Sequence, residues 1–161
     1  MFYGSNSKSV HPIEDEFGFI LDQRHLYDLL SDIWCKESCA PRMRINWTKE
    51  NKTLGQCSIT AFLVQDIFGG EVYGVPLEDG NFHCFNVVGD VIFDLTSEQF
   101  QGKKLDYKKA IHQTRDEHFK KEEKYKRYLI SNLNYLRRSL VSYNQVFYIK
   151  NKEKAMRYCE I

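Results

Sequence analysis

The chain has no apolar run approaching the ~18 residues that a membrane-spanning helix needs. Its first residues also lack the basic-then-apolar order of a secretory signal. An even set of cysteines is missing too: there are five, with no secretory context, which argues against a disulfide framework and leaves reduced thiols expected. Cys35 and Cys39 stand four apart, but no nearby His or Cys completes a zinc set around them, so neither a metal nor an organic cofactor is expected. There is no internal repeat, and the only biased tract is a Lys/Glu-rich patch at 120–127, read as a solvated helix face. These absences lead to the expectation of a soluble, cytoplasmic protein with no membrane partner.

What is present suits one packed domain. At 161 residues the chain can bury roughly 70% of its unfolded surface, and with 42% hydrophobic and 14% aromatic residues it needs no covalent staples. Residues 1–19 mix Ser, Asn, Gly, Pro and acidic residues without period and read as an irregular leader; 20–161 read as a single α+β domain. The net charge of +1 hides an asymmetry. Residues 1–100 hold 7 Lys/Arg against 15 Asp/Glu, and residues 101–161 hold 16 against 7. Such a basic C-terminal third is one signature of nucleic-acid binding, but no nucleic-acid motif accompanies it. The preferred reading is an acidic front beside a basic, solvated helix surface.

Hydrophobic spacing places the elements. From Asp22, an N-cap residue type, Leu26, Leu29, Leu30, Ile33 and Trp34 recur at helical spacing, which predicts an amphipathic helix over 22–35. Residues 36–55 form a long connection marked by Pro41, Asn46, Asn51 and Gly55. A second helix over 57–68 is apolar nearly all round and therefore central, and Gly69-Gly70 ends it. Strands are predicted over 71–75, 81–88 and 91–95, with Gly89-Asp90 as a two-residue hairpin turn. Further on, 115–141 read as one or two charged helices with Phe119, Tyr125, Leu129, Leu133, Leu136 and Leu140 inward, and 145–149 as a last strand.

The chemistry centres on Cys57. A thiol at a helix N-terminus meets the positive end of the helix dipole and unpaired N–H groups, both of which favour the thiolate. The same N–H groups can receive the oxyanion formed when a carbonyl is attacked, and the Gln56 amide is the candidate second donor. The competing reading is ordinary, since Cys is among the most buried residue types. The hairpin bears on that choice. If Gly89-Asp90 is the turn, Val88 faces Val91 and Phe85 faces Asp94, so His83 and Asp94 become diagonal neighbours on one face. That is the relation an imidazole base and its orienting carboxylate need. An odd-length loop would undo it, His83 could be a structural histidine, and Asp94 could cap the turn at Leu95-Thr96-Ser97. Cys84 and Asn86 fall on the opposite, core face.

The stretch from Asn51 to Ala61, then Val64-Gln65-Asp66 and Phe68-Gly69-Gly70-Glu71, resembles the YunG-like family of small bacterial proteins. His83 with Asn86, the run Asp94-Leu95-Thr96-Ser97-Glu98-Gln99-Phe100, and Tyr135-Leu136 with Arg138-Ser139-Leu140 extend the resemblance over about 22–141. The chain departs from the pattern at Thr53, where Pro or Ala is common, and in its leader. That family carries no firmly established activity. The order Cys, His on a strand, Asp on the next strand is also similar to papain-like and transglutaminase-like cores, which implies a Cys57 helix packed on a small antiparallel sheet. Fold alone does not fix function.

Three functions are consistent with these features. The leading expectation is a cysteine hydrolase or acyltransferase acting through a thioester, on a peptide, amide or small-molecule substrate. Cys57 is the nucleophile, His83 the base and then acid, Asp94 the orienter and Gln56 an oxyanion donor. The alternative is a catalytically inactive papain-like binding module. The third is an interaction protein that uses Lys120, Lys121, Lys124 and Lys126 on an acidic surface.

Overall fold

The computed structural model describes residues 1–116 together with 131, 134, 135, 137–142 and 145. The fold is mixed α+β, with a four-stranded antiparallel sheet packed on a buried helix. Helix α1, Gln23–Ile33, begins where expected because the Asp22 carboxylate accepts from the backbone N–H groups of Arg24 and His25. It buries Leu26, Leu29, Leu30 and Ile33. It stops short of the predicted end: Trp34 has turned to an extended conformation (ψ 128°), and its indole N–H donates to Thr60 Oγ1 at 3.1 Å.

Helix α2, Cys57–Phe68, has the predicted bounds and is buried on nearly every side. Its Ile59, Leu63, Val64, Ile67 and Phe68 join the α1 side chains in the main core, at about 1.5–3 kcal/mol for each large apolar side chain taken from water. Gly69 and Gly70 end it with positive φ (72° and 74°). A Cβ on Gly70 would lie 2.3 Å from the Val87 carbonyl oxygen, so strand β1 starts pressed against β2.

The strands are β1 (Glu71–Pro76), β2 (Phe82–Val88), β3 (Val91–Phe93) and β4 (Ile111–Gln113), in the order β3-β2-β1-β4. Val88 faces Val91 across the Gly89-Asp90 turn, as the sequence predicts. Only Gly89 there has positive φ, the glycine-first pattern of a II′ turn. The β2–β3 ladder ends at Asn86 opposite Phe93, one pair earlier than predicted. Asp94 then leaves β2 and bridges Tyr3 instead, its N–H donating to the Tyr3 carbonyl at 2.9 Å. Strand β4, which the sequence reading misses, pairs with β1 through Val72 and Gln113. Its three residues are too few to show alternation.

Residues 1–19 contain a single 3-10 turn and that one bridge, yet they are packed: Phe2, Val10 and Phe17 belong to the main core with α1, α2 and Phe93. A smaller cluster of Ala61, Phe62, Val72 and Cys84 lies between α2 and the sheet, with Cys57 against it. Residues 137–142 and Gln145 are helical, and Leu140 is fully buried in the main core. Phe119, Tyr125, Leu129, Leu133, Leu136 and 146–149 of the expected strand, with Lys120, Lys121, Lys124 and Lys126, lie outside the described residues. Among the described residues no helix is long and apolar enough to cross a membrane.

Candidate functional site

Cys57 is the first residue of α2, and its N-cap, Gln56, makes no side-chain capping bond, so that helix end has no side-chain cap. The thiol is half-buried at the floor of a cavity of about 220 Å³ lined also by Gly55, Ser58, His83, Gln99 and Phe100. Gly55 takes positive φ (67°), and a Cβ there would lie 2.7 Å from Cys39 Sγ. The loop from residue 36 to 55 can therefore close tightly behind Cys57 only with glycine at this point.

His83 and Asp94 meet as the strand parity predicts. His83 Nε2 lies 2.5 Å from Asp94 Oδ2, and both side chains are 1% exposed. An ionised carboxylate only accepts, so Nε2 carries the hydrogen and Nδ1 is left as the nitrogen that can take a proton. Three further donors converge on Asp94. Thr96 N–H and Oγ1 reach Oδ1 at 3.0 and 3.1 Å, and Tyr107 O–H reaches Oδ2 at 2.9 Å. Four donors on one buried carboxylate compensate its desolvation and fix its orientation. The proposed competing role for Asp94, capping the turn at Thr96, is thus performed by the same carboxylate that holds His83.

Two further groups set the imidazole. Phe100 lies edge-on to the His83 ring with centroids 4.7 Å apart. Gln99 places its amide nitrogen 3.1 Å from Nδ1 and 3.0 Å from the Thr96 carbonyl. Its Oε1 accepts from the Gly55 N–H at 3.4 Å. That donor on one side and the Thr96 carbonyl on the other determine which way the amide faces, so Gln99 presents an N–H to Nδ1 when the ring is neutral. Sequence reasoning misses both Gln99 and Tyr107. Gln99 is folded back by the 3-10 turn Ser97–Phe100, and Tyr107 opens the next one, Tyr107–Lys109. Neither leaves a periodic signal.

Gln56 does not take the place expected of it. Its side chain is fully buried, and Nε2 donates to the Cys35 carbonyl at 2.9 Å. The amide tethers the loop to the start of α2 and is not part of the cavity lining. Asn86, on the core face, donates to the Ala61 carbonyl at 2.8 Å. Cys84 shares that face and reaches the site from behind: Ser58 Oγ stands 3.7 Å from its sulfur and 4.0 Å from that of Cys57.

The electrostatics favour charge separation. The Cys57 thiol is held well below its usual range by hydrogen bonding with Cys84, against the cost of burial, and by the His83 ring as hydrogen-bond partner and charge. Burial works against a charged His83, but the Asp94 carboxylate and then Cys57 outweigh it, raising the imidazole to about 10. Cys84 is pushed up by Cys57 and by burial. Burial and then Asp94 push up the Tyr107 phenol, which stays a donor. The arrangement can hold a thiolate beside an imidazolium, with a carboxylate behind the ring.

Comparison with known proteins bears on the family. The YunG protein family matches the chain over residues 22–137. Uncharacterized protein YunG of Bacillus subtilis (strain 168) is 35% identical over 77 residues, covering 48% of this chain and 62% of that relative. The chain therefore spans less than two thirds of that relative's length. No solved structure matches it.

Proposed function

The chain belongs to the YunG family, and for this member of it we propose a cysteine-dependent acyl transfer or amide hydrolysis through a thioester at Cys57, on a papain-like or transglutaminase-like arrangement. The observation that carries the reading is the buried His83–Asp94 pair, 2.5 Å apart, with its ring lining the same cavity as a thiol at a helix start.

The steps follow from the geometry. The Cys57 thiolate adds to a carbonyl carbon held in the cavity, and the oxyanion meets the N–H groups of the first turn of α2. The tetrahedral intermediate expels its amine or alcohol, which takes the proton from His83 Nδ1, and a thioester remains. Water or an acceptor amine then adds to the thioester, giving its proton to Nδ1, and Cys57 leaves. Asp94 holds the ring in one tautomer and stabilises the imidazolium throughout. Gln99 takes a part that the sequence reading assigns to Gln56. Once Nδ1 is protonated it no longer accepts, and the Gln99 N–H beside the cavity is released for the oxyanion.

The first experiment is the pH dependence of iodoacetamide labelling at Cys57 in wild type and His83→Ala. An unperturbed thiol titrates near ~8.5 and an imidazole-paired one well below it. Labelling that titrates low, and reverts in the variant, followed by a covalent acyl adduct at Cys57 from an activated ester such as p-nitrophenyl acetate, supports the reading. An ordinary titration unchanged by the variant overturns it and leaves a binding module.

A further inference from the structure

The mechanism above uses one thiol, but the site holds two. Cys57 faces the cavity and is half-buried. Cys84, on β2 immediately after His83, lies behind it and is 1% exposed. Cys57 packs against the small cluster that contains Cys84, and the Ser58 hydroxyl lies between the two sulfurs, 4.0 Å from Cys57 and 3.7 Å from Cys84. A catalytic thiol needs no second thiol in contact with it, and an apolar residue would fill the Cys84 position without competing for the same hydrogen. Cys39 is a poorer neighbour. Its sulfur donates to its own loop, to the Ala40 carbonyl at 3.5 Å, and burial raises it to about 11.

We propose that Cys57 and Cys84 form a redox modification site, in which a hydroperoxide oxidises Cys57 and Cys84 resolves the product as an intramolecular disulfide. In the first step the Cys57 thiolate attacks the distal oxygen of the hydroperoxide and the O–O bond breaks. The alkoxide or hydroxide leaves with a proton from His83, and Cys57 becomes a sulfenic acid. In the second step Cys84 attacks the Cys57 sulfur, the S–O bond breaks, and the departing hydroxide takes the Cys84 proton to leave water. A dithiol reductant restores both thiols by exchange.

The order of events follows from the contacts. While Cys57 is a thiolate, its hydrogen bond and charge keep Cys84 protonated and inert. Oxidation to a neutral sulfenic acid removes that charge, so Cys84 becomes easier to ionise only when there is something for it to resolve. The disulfide takes the nucleophile away from acyl chemistry and shields it from irreversible oxidation. It rests on Cys57 being a reactive thiolate but not on acyl transfer.

The test is hydrogen peroxide titration of the whole chain, read by intact mass and peptide mapping, with Cys84→Ser alongside. The expected wild-type product is lighter by two hydrogens, maps to a Cys57–Cys84 cross-link, and returns to the starting mass with dithiothreitol. In Cys84→Ser the cross-link is lost, Cys57 is trapped by dimedone, and sulfinic acid accumulates. Wild type that forms dimedone adduct and sulfinic acid without the cross-link overturns the proposal. So does a cross-link from Cys57 to Cys39, or a Cys57 left unoxidised. The readout needs no acyl substrate, so this proposal and acyl transfer can fail separately, and wild-type mapping decides it even if the variant does not fold.

Discussion

Asp94 Oδ2 accepts from His83 Nε2 at 2.5 Å and from Tyr107 O–H at 2.9 Å, so the same carboxylate oxygen is shared by the ring and by a phenol from a distant segment. Replacing Asp94 by Asn separates charge from shape. The Asn oxygen can still serve the two Thr96 donors, but its amide then faces Nε2, which must become an acceptor. The hydrogen moves to Nδ1, where it can no longer take the Cys57 proton. Asp94→Asn is therefore expected to slow iodoacetamide labelling at neutral pH to the level of His83→Ala. Breaking a buried pair in this way costs about 3–5 kcal/mol, to be read from urea unfolding. Wild-type labelling in this variant would remove Asp94 from the thiol's activation.

Tyr107→Phe tests the second donor with little change of volume. The Tyr107 ring stacks on Tyr3 with centroids 4.1 Å apart and meets Phe85 edge-on, so Phe keeps the packing and loses only the hydroxyl. A hydrogen bond to a charged group is worth about 1.5–3 kcal/mol, and a stability loss of that size is expected. Labelling of Cys57 should shift toward an ordinary thiol, by less than in Asp94→Asn. An unchanged unfolding midpoint would mean that water replaces the phenol.

Much of this site is legible in the sequence, for reasons that differ by residue. Gly89-Asp90 fixes the hairpin register, and the period of two along a strand then places His83 and Asp94 on one face. Helix α2 is legible because Gly55 and Gly69-Gly70 bracket an unbroken apolar run. The side chain of Gln56 is not, since its burial depends on where the Cys35 carbonyl arrives after a long aperiodic loop. Gln99 and Tyr107 are placed by 3-10 turns and irregular backbone, whose conformation residue type alone does not fix. Cys84 is correctly on the core face, but parity says nothing of the Cys57 sulfur coming to meet it.

Gln99→Ala should act in the opposite direction to Asp94→Asn. The Gln99 N–H at 3.1 Å from Nδ1 stabilises the neutral ring and competes with the thiol for that nitrogen. Removing it favours the thiolate–imidazolium pair, so labelling below pH 7 is expected to become faster than in wild type. Turnover of an acyl substrate should nevertheless fall, because the oxyanion loses a donor. A drop in both would instead mean that Gln99 only holds the Gly55 loop in place.

The pair should also leave a mark on stability against pH. In the unfolded chain His83 and Cys57 take their ordinary values, 6.5 and 9.0. Folded, His83 is raised to about 10 and Cys57 is lowered. The His83 contribution is full below 6.5 and is lost as pH rises through about 10. The Cys57 contribution is full above 9.0 and is lost as pH falls through its depressed folded value. Between 6.5 and 9.0 the unfolded chain holds its one proton on Cys57 and the folded pair holds one on His83, so the two trends cancel. In Cys57→Ala the Cys57 trend is gone and only the part of the His83 rise that Asp94 supplies remains, so stability should fall with rising pH by up to about 1.4 kcal/mol per pH unit, over a narrower window than the full rise would give. Groups unaffected by the substitution cancel in the difference between the two proteins. Urea unfolding at pH 7 and pH 9 should therefore show wild type gaining on the variant as pH rises. A constant difference would mean that the folded protein carries a neutral thiol beside a neutral imidazole.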